Sequence, residues 1–246
     1  MTTPYRRTLL KLSGEGLAGG GSGTTPPSVL EPDLLQGVAQ ELSEVHALGV
    51  QLGVVVGGGN IIRGVSAAAA GMERSQADAM GMLASVINAL ALQDALERHG
   101  APARVLSAIG LAGLTERFSR RRAIGHLEAG RIVVFAGGTG HPYFTTDTAA
   151  ALRAAEIGAE VILKATRVDG VYDADPARDP DARRYDRVSF AEALERGLGI
   201  MDQTALALCR ENGLPIRVFD MRVRGNIRRA ASGEAVGTLV EAAEAG

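Results

Sequence analysis

Val54-Val55-Val56-Gly57-Gly58-Gly59-Asn60 sets an apolar strand directly against three consecutive glycines. A strand of that composition is buried, and the bare backbone after it can approach a ligand because no Cβ intervenes. Where such a turn leads into a helix, unpaired amides and the helix dipole favour an anion, phosphate above all. The same run also reads as a tight strand-to-helix connection that binds nothing, because turns need special backbone at one position more often than at three. Groups brought to the same place by other segments decide between the two.

Outward from this run, apolar strands alternate with amphipathic helices. Residues 9–12, 52–56, 105–106, 132–135, 161–163 and 216–219 read as strands, with a last short one near 238–240. Leu35, Val38, Leu42, Val45 and Leu48 recur at helical spacing, and Gly49 stops that helix. The alternation predicts a single α/β domain over 1–246, a three-layer α/β/α sandwich around a central, mainly parallel sheet. Residues 72–99 read as a helix that is nearly apolar at its middle. Met80, Leu83, Val86, Ile87, Leu90 and Leu92 cover more than one of its faces, which puts it in a core or between subunits and favours an oligomer. Residues 19–27, GGGSGTTPP, have the composition of a flexible loop, and 241–246 read as a frayed tail.

The formal charge of −2 with 22% charged residues offers no field that would recruit nucleic acid or a membrane surface. The single cysteine, Cys209, has no disulfide partner and no metal-ligand spacing around it, so it reads as a buried core thiol. Lys11 cuts short the apolar pair Leu9-Leu10, which is no secretion signal, and the charge-free helical stretch 79–93 is shorter than a membrane span. A cytoplasmic protein is expected.

Ligands of open α/β sheets bind beyond the carboxyl ends of the strands. Lys11-Leu12-Ser13-Gly14 follows the first strand, and the glycine run with Arg63 follows the second. Gly137-Gly138 and the segment 139–147 follow the fourth, and Lys164-Ala165-Thr166 the fifth. Three cations (Lys11, Arg63, Lys164), glycine amides and several hydroxyls therefore converge where a polyphosphate can sit. Phosphoryl transfer needs such parts, because its catalysis is mainly positioning and charge neutralisation. Taken singly, each has a plainer reading. A lysine ending a strand can be surface decoration, and Arg63 can merely pair with a carboxylate. Asp147, after two threonines at a helix start, can be an N-cap or can hold the lysines. Neither G-x-G-x-x-G nor a glycine-rich loop ending in Gly-Lys-Ser/Thr occurs, so any phosphate cradle is of another type.

Asp169, Asp173 and Asp175 lie on a turn-rich acidic loop. Mg²⁺ commonly keeps its waters and binds substrate phosphates, so no direct protein ligand to a metal is assigned. Tyr172 can flank an adenine ring or be a half-buried loop aromatic. Of the four histidines only His141 lies in the candidate site, where it shapes a loop or meets a ligand oxygen rather than acting as a base.

Together these residues resemble the amino acid kinase superfamily, and within it most closely the bacterial uridylate (UMP) kinases. Four pieces carry the resemblance, in order over nearly the whole chain: KLSGE at 11–15, GGGNIIRG at 57–64, TGHPYFTTDTAA at 139–150 and LKATRVDGVYDADPARDP at 163–180. The resemblance implies ATP-dependent phosphorylation of UMP to UDP in pyrimidine nucleotide biosynthesis, with Mg²⁺ accompanying ATP. It implies that ATP is held by Lys11, Leu12, Ser13, Gly14, Gly59, Arg63, Thr166, Tyr172 and Asp175. UMP is then held by Gly58, Asp78, Thr139, Gly140, His141, Pro142, Tyr143, Phe144, Thr145 and Thr146. Lys11, Arg63 and Lys164 become charge stabilisers and Asp147 the organiser of the cations. No general base is required, because a phosphate monoester has a second pKa of about 6 and is largely a dianion at pH 7. The resemblance further implies a homohexamer, GTP activation and UTP inhibition, although Gly23-Thr24-Thr25-Pro26-Pro27 departs from the Gly-Phe-Gly-Ile-Asp type of segment often found there. Two alternatives on the same fold stay open: a kinase for a carboxylate or carbamate, and a nucleotide-binding or storage protein without turnover.

Overall fold

The computed structural model describes residues 5–19, 28–176, 178–179 and 181–243. Segment 20–27 and tail 244–246, within the expected loop and frayed end, lie outside the described residues. Among the described residues, nine strands form one sheet: β1 (Arg7–Leu12), β2 (Gln51–Val56), β3 (Ala103–Ser107), β4 (Glu116–Arg117), β5 (Ile132–Ala136), β6 (Val161–Thr166), β7 (Arg187–Ser189), β8 (Ile216–Asp220) and β9 (Thr238–Glu241). Their order is β4-β3-β5-β2-β1-β6-β8-β9-β7, and every pairing is parallel except β8 with β9. The expected strands all form. β4 and β7 are additional, at the two edges of the sheet, and with two and three residues they carry no alternation to read.

The helices are α1 (Pro32–Ala47), α2 (Gly64–Ala69), α3 (Arg74–Arg98), α4 (Arg120–Glu128), α5 (Thr146–Ile157), α6 (Phe190–Glu195), α7 (Gln203–Glu211) and α8 (Asn226–Ala231). Apolar residues of α1, α3 and α8 pack with Leu10, Leu12, Val54 and Val56 on one face of the sheet. Those of α4, α5, α6 and α7 pack with Leu9, Val55, Val133 and Ile162 on the other. The period-2 alternation of each buried strand thus feeds two cores, and the three layers follow.

The starts and stops of α1 and α5 follow local chemistry. Pro32 opens α1 at a position where its missing N–H costs nothing, and Gly49 beyond its end adopts φ 84°. α5 starts on Thr145, whose hydroxyl accepts from the amides of Asp147 and Thr148, and ends at Gly158 with φ 66°.

α3 is long and apolar enough to cross a membrane, yet it lies against β2, β3 and β5. Ala77, Ala84, Val86, Ala89, Leu92 and Leu96 are buried, whereas Met80, Leu83 and Ile87 are 44%, 47% and 51% exposed. The chain alone therefore covers one side of this helix and leaves an apolar stripe open. Two polar residues sit on the buried side and have partners. Ser85 Oγ accepts from the Gly137 amide at 2.9 Å, and Asn88 Nδ2 donates to the Gly57 carbonyl at 2.6 Å and to Asn60 Oδ1 at 2.7 Å. α3 thereby braces both glycine loops from beneath.

Gly57, Gly58 and Gly59 all lie outside the left-handed region, which is instead occupied at Gly137 (φ 75°), Gly138 (φ 58°) and Gly140 (φ 85°). What requires glycine at position 58 is packing: a Cβ there would meet Gly81 O at 2.6 Å, Ala84 Cβ at 2.7 Å and Ser85 N at 2.8 Å. At Gly59 the nearest atom would be 3.7 Å away, an ordinary contact. Gly58→Ala should accordingly cost about 1–3 kcal/mol of stability through forced displacement of α3, while Gly59→Ala stays within about 0.5 kcal/mol. Denaturant unfolding of both variants checks this, and equal midpoints would contradict the packing argument.

Candidate active site

Parallel pairing of β1 with β6 sets Lys11 directly beside Lys164. Each follows an apolar residue two positions earlier, Leu9 and Ile162, on the face that α5 covers, so both side chains point toward that helix. Asp147, in the first turn of α5, meets them: Lys11 Nζ lies 2.9 Å from Oδ1 and Lys164 Nζ 2.9 Å from Oδ2. All three side chains are largely buried, at 13%, 12% and 16% exposure for Lys11, Lys164 and Asp147. Lys164 Nζ also donates to the Ile200 carbonyl. The N-cap role open to Asp147 belongs instead to Thr145, which leaves the Asp147 carboxylate free for the lysines.

Burial opposes ionisation of Asp147, but the charges and hydrogen bonds of Lys11 and Lys164 outweigh it and hold its pKa below the ordinary value. The Lys164 pKa is lowered as well, first by burial, which the Asp147 charge resists, and further by repulsion from Lys11. Cys209, as expected, is a core thiol: burial, helped by the charges of Asp147 and Asp202, pushes its pKa up to about 12. It is held as an inert thiol.

Two clefts flank the lysines. A cleft of about 640 Å³ has Gly58 and Gly59 along its floor and is further lined by Lys11, Arg63, Asp78, His141, Phe144, Thr145, Thr146 and Asp147. On the other side, a cleft of about 540 Å³ is lined by Lys164, Thr166, Tyr172 and Asp175. A recess of about 250 Å³ touching Lys11, Ser13, Lys164 and Thr166 lies between them. Thr139 faces a separate recess of about 500 Å³ that shares His141 and Phe144.

Several expected residues serve the frame rather than line the two clefts. Leu12 is fully buried in the core, and its carbonyl accepts from Gly57 N at 3.0 Å. Gly14 is pressed against this same turn, where a Cβ would sit 2.4 Å from Asn60 Oδ1 and 2.7 Å from Gly57 O. Gly140 supplies a left-handed turn. Pro142 and Tyr143 also lie outside the two cleft linings. Tyr143 is the non-glycine residue with positive φ (71°) among the described residues, and its amide donates to Asp78 Oδ2 at 2.8 Å. Asp78 takes a second bond from Arg74 Nε at 2.8 Å and lies so close to Gly64 that a Cβ there would meet its Oδ1 at 2.1 Å. Asp78 thus latches the 139–146 loop to the start of α3. The Tyr172 hydroxyl donates to Asp169 at 2.7 Å. Arg63 is paired with Glu15 rather than with the lysine cluster, as its plainer reading allowed.

Glu15, Arg74, Ile200 and Asp202 carry no separate signal in the sequence. Only KLSGE pointed near one of them. Asp202 accepts from the hydroxyls of Thr145 and Thr148, a link between distant segments that no local pattern carries. Among the described residues, no three His, Cys, Asp or Glu side chains gather as a cation cage.

This arrangement defines an α/β protein whose two clefts open onto one shared cationic centre. Residues 6–220 match the amino acid kinase family, and the chain belongs to it. The structure of UMP kinase from Bacillus anthracis is 37% identical, with a TM-score of 0.91 and coverage of 97% of this chain and 96% of that one. UMP kinase from Ureaplasma parvum is 36% identical with a TM-score of 0.88, covering 96% and 98%. Uridylate kinase from Archaeoglobus fulgidus is 30% identical with a TM-score of 0.71, covering 95% and 99%.

Removing the shared carboxylate leaves two buried cations facing each other. Asp147→Asn should destabilise the protein at pH 7 by about 3–5 kcal/mol. Because the folded carboxyl titrates below its ordinary value, its contribution is fully present above the unfolded pKa and is lost as pH falls through the folded value. The melting-temperature gap between wild type and Asp147→Asn should therefore narrow in acid. A gap independent of pH would contradict the assignment.

Proposed function

We propose that this chain is an ATP-dependent UMP kinase, a nucleoside monophosphate kinase that transfers the γ-phosphoryl group of ATP to the phosphate of UMP. The observation that carries this reading is the meeting of two clefts at Lys11, Asp147 and Lys164. UMP is assigned to the cleft floored by Gly58, with Asp78 and the residues of 139–146 around it. ATP is assigned to the cleft of Thr166, Tyr172 and Asp175, its phosphates reaching past Ser13 and Gly59 toward Lys11.

An oxygen of the UMP phosphate attacks the γ-phosphorus, the bond from that phosphorus to the β–γ bridging oxygen breaks, and ADP leaves with the electron pair. The acceptor is largely a dianion at neutral pH, so no proton must be removed from it. Lys11, which borders the UMP cleft and the recess, faces the group in flight. Lys164, which borders the recess and the ATP cleft, faces charge developing on ADP. Asp147 keeps both ammonium groups from relaxing away from each other. Arg63 adds charge on leaving Glu15 for the phosphates. Mg²⁺ bound with ATP would neutralise phosphate charge; the nearby carboxylates of Asp147 and Glu15 are already committed to cations, so no protein side chain is assigned to hold it.

The exposed stripe of Met80, Leu83 and Ile87 fits a subunit contact, and a homohexamer is proposed on that ground and on the family resemblance. Sedimentation of the purified chain tests it, a monomer overturning it. GTP activation, UTP inhibition, a cytoplasmic location and a role in pyrimidine nucleotide supply belong to the same proposal. Initial rates with and without GTP or UTP test the regulatory part.

The decisive assay is ATP turnover with UMP, CMP, acetylglutamate and carbamate offered in turn. UMP should support the fastest ADP release, with UDP as the second product; a carboxylate or carbamate acceptor winning would move the chain to another kinase activity. Tight UMP binding with no UDP formed would favour a nucleotide-binding role. Lys11→Ala should lower kcat by about two orders of magnitude, the scale of losing one electrostatic stabiliser. Unchanged kcat in that variant would remove Lys11 from the mechanism.

A further inference from the structure

We propose that Asp202 is a positioning residue that joins the two clefts, holding the start of α5 and the segment beside Lys164 in one fixed relation. The proposal rests on the reading of the lysine cluster as the transfer centre. Asp202 is the N-cap of α7, its Oδ1 accepting from Ala205 N at 3.0 Å. One such bond satisfies a cap. Its carboxylate does more. Oδ2 accepts from Thr145 Oγ1 at 2.5 Å, and Thr148 Oγ1 donates to the carboxylate at 2.9 Å and 3.0 Å.

Thr145 is itself the cap of α5. By giving its hydroxyl proton to Asp202 it turns its lone pairs toward the amides of Asp147 and Thr148, at 3.0 Å and 3.2 Å. A continuous path therefore runs from Asp202 through Thr145 to the backbone of Asp147, with each bond polarising the next. Two residues before Asp202, the Ile200 carbonyl accepts from Lys164 Nζ. The same short segment lines the ATP-side cleft at Leu198 and Ile200, while Thr145 lines the opposite one. One stretch of chain thus grips Lys164 with a carbonyl and the Asp147 turn with a carboxylate. Asp202 lines neither cleft, so it acts through these residues rather than on a substrate.

The test uses the purified full chain with Asp202→Ala, Asp202→Asn and Thr148→Val, and Ser119→Ala as a control that removes only the cap of α4. Asp202→Ala should lower kcat by about tenfold or more and raise KM for UMP, as displaced reacting groups do. Asp202→Asn retains an acceptor for the threonines and a cap for α7, and should recover most of the loss. Thr148→Val, which leaves α7 capped, should fall between wild type and Asp202→Ala, and it keeps the test open if Asp202→Ala does not fold. Ser119→Ala should lower the melting temperature without moving kcat or KM. Wild-type kinetics in folded Asp202→Ala and Thr148→Val would overturn the proposal. So would losses that follow the folded fraction alone. Calorimetric titration with UMP and with ATP separates this proposal from the functional reading. If wild type binds both nucleotides but makes no UDP, that reading fails, while weaker binding of both by Asp202→Ala still supports the join.

Discussion

Asp147 lies between two lysines that the sheet forces together. In-register pairing of β1 and β6 leaves Lys11 and Lys164 no means of separating, and burial withholds the water that would screen them. One carboxylate offsets one of the two charges. When both lysines are protonated, the centre keeps a net positive charge in a poorly solvated place. This is the physical reason that a phosphate group is the natural third party. The lowered pKa values of Asp147 and Lys164 are two signs of the same crowding.

The rest of the site depends on keeping that cluster still while leaving room around it. α3 does much of this from below, through Ser85 to one glycine loop and Asn88 to the other. Gly58 is pressed so closely on α3 that the floor of the larger cleft is set by helix-to-loop packing. Asp78 fixes the loop wall through the Tyr143 amide, and α5 is fixed by its own cap. Rigid elements thus carry the groups that touch charge, and the two clefts can be filled without remaking the centre.

The fold was legible because buried parallel strands announce themselves as short apolar runs, and each such run became a strand of the sheet. The edge strands β4 and β7 were not legible, being too short for a pattern. Lys11 and Lys164 could be read from their places at strand ends, but their adjacency is a matter of register, which the sequence leaves open. Asp147 carried two readings until the structure gave the cap to Thr145. The glycine run drew attention to the right place, where Gly58 and Gly59 line a cleft, but the packing of Gly58 on α3 was not legible, nor was the placing of the left-handed glycines at 137–140. Asp202 carries no signal in the sequence that ties it to the site, because its threonine partners lie more than fifty residues earlier in the chain.

The central claim is that Asp147 organises two lysines for phosphoryl transfer rather than merely stabilising the fold. Single-turnover formation of UDP by folded Asp147→Asn, saturated with ATP and UMP, tests it most directly. The account predicts a rate lower by about two orders of magnitude or more, with dissociation constants for the two nucleotides changed far less. A transfer rate equal to that of the wild-type protein would contradict it.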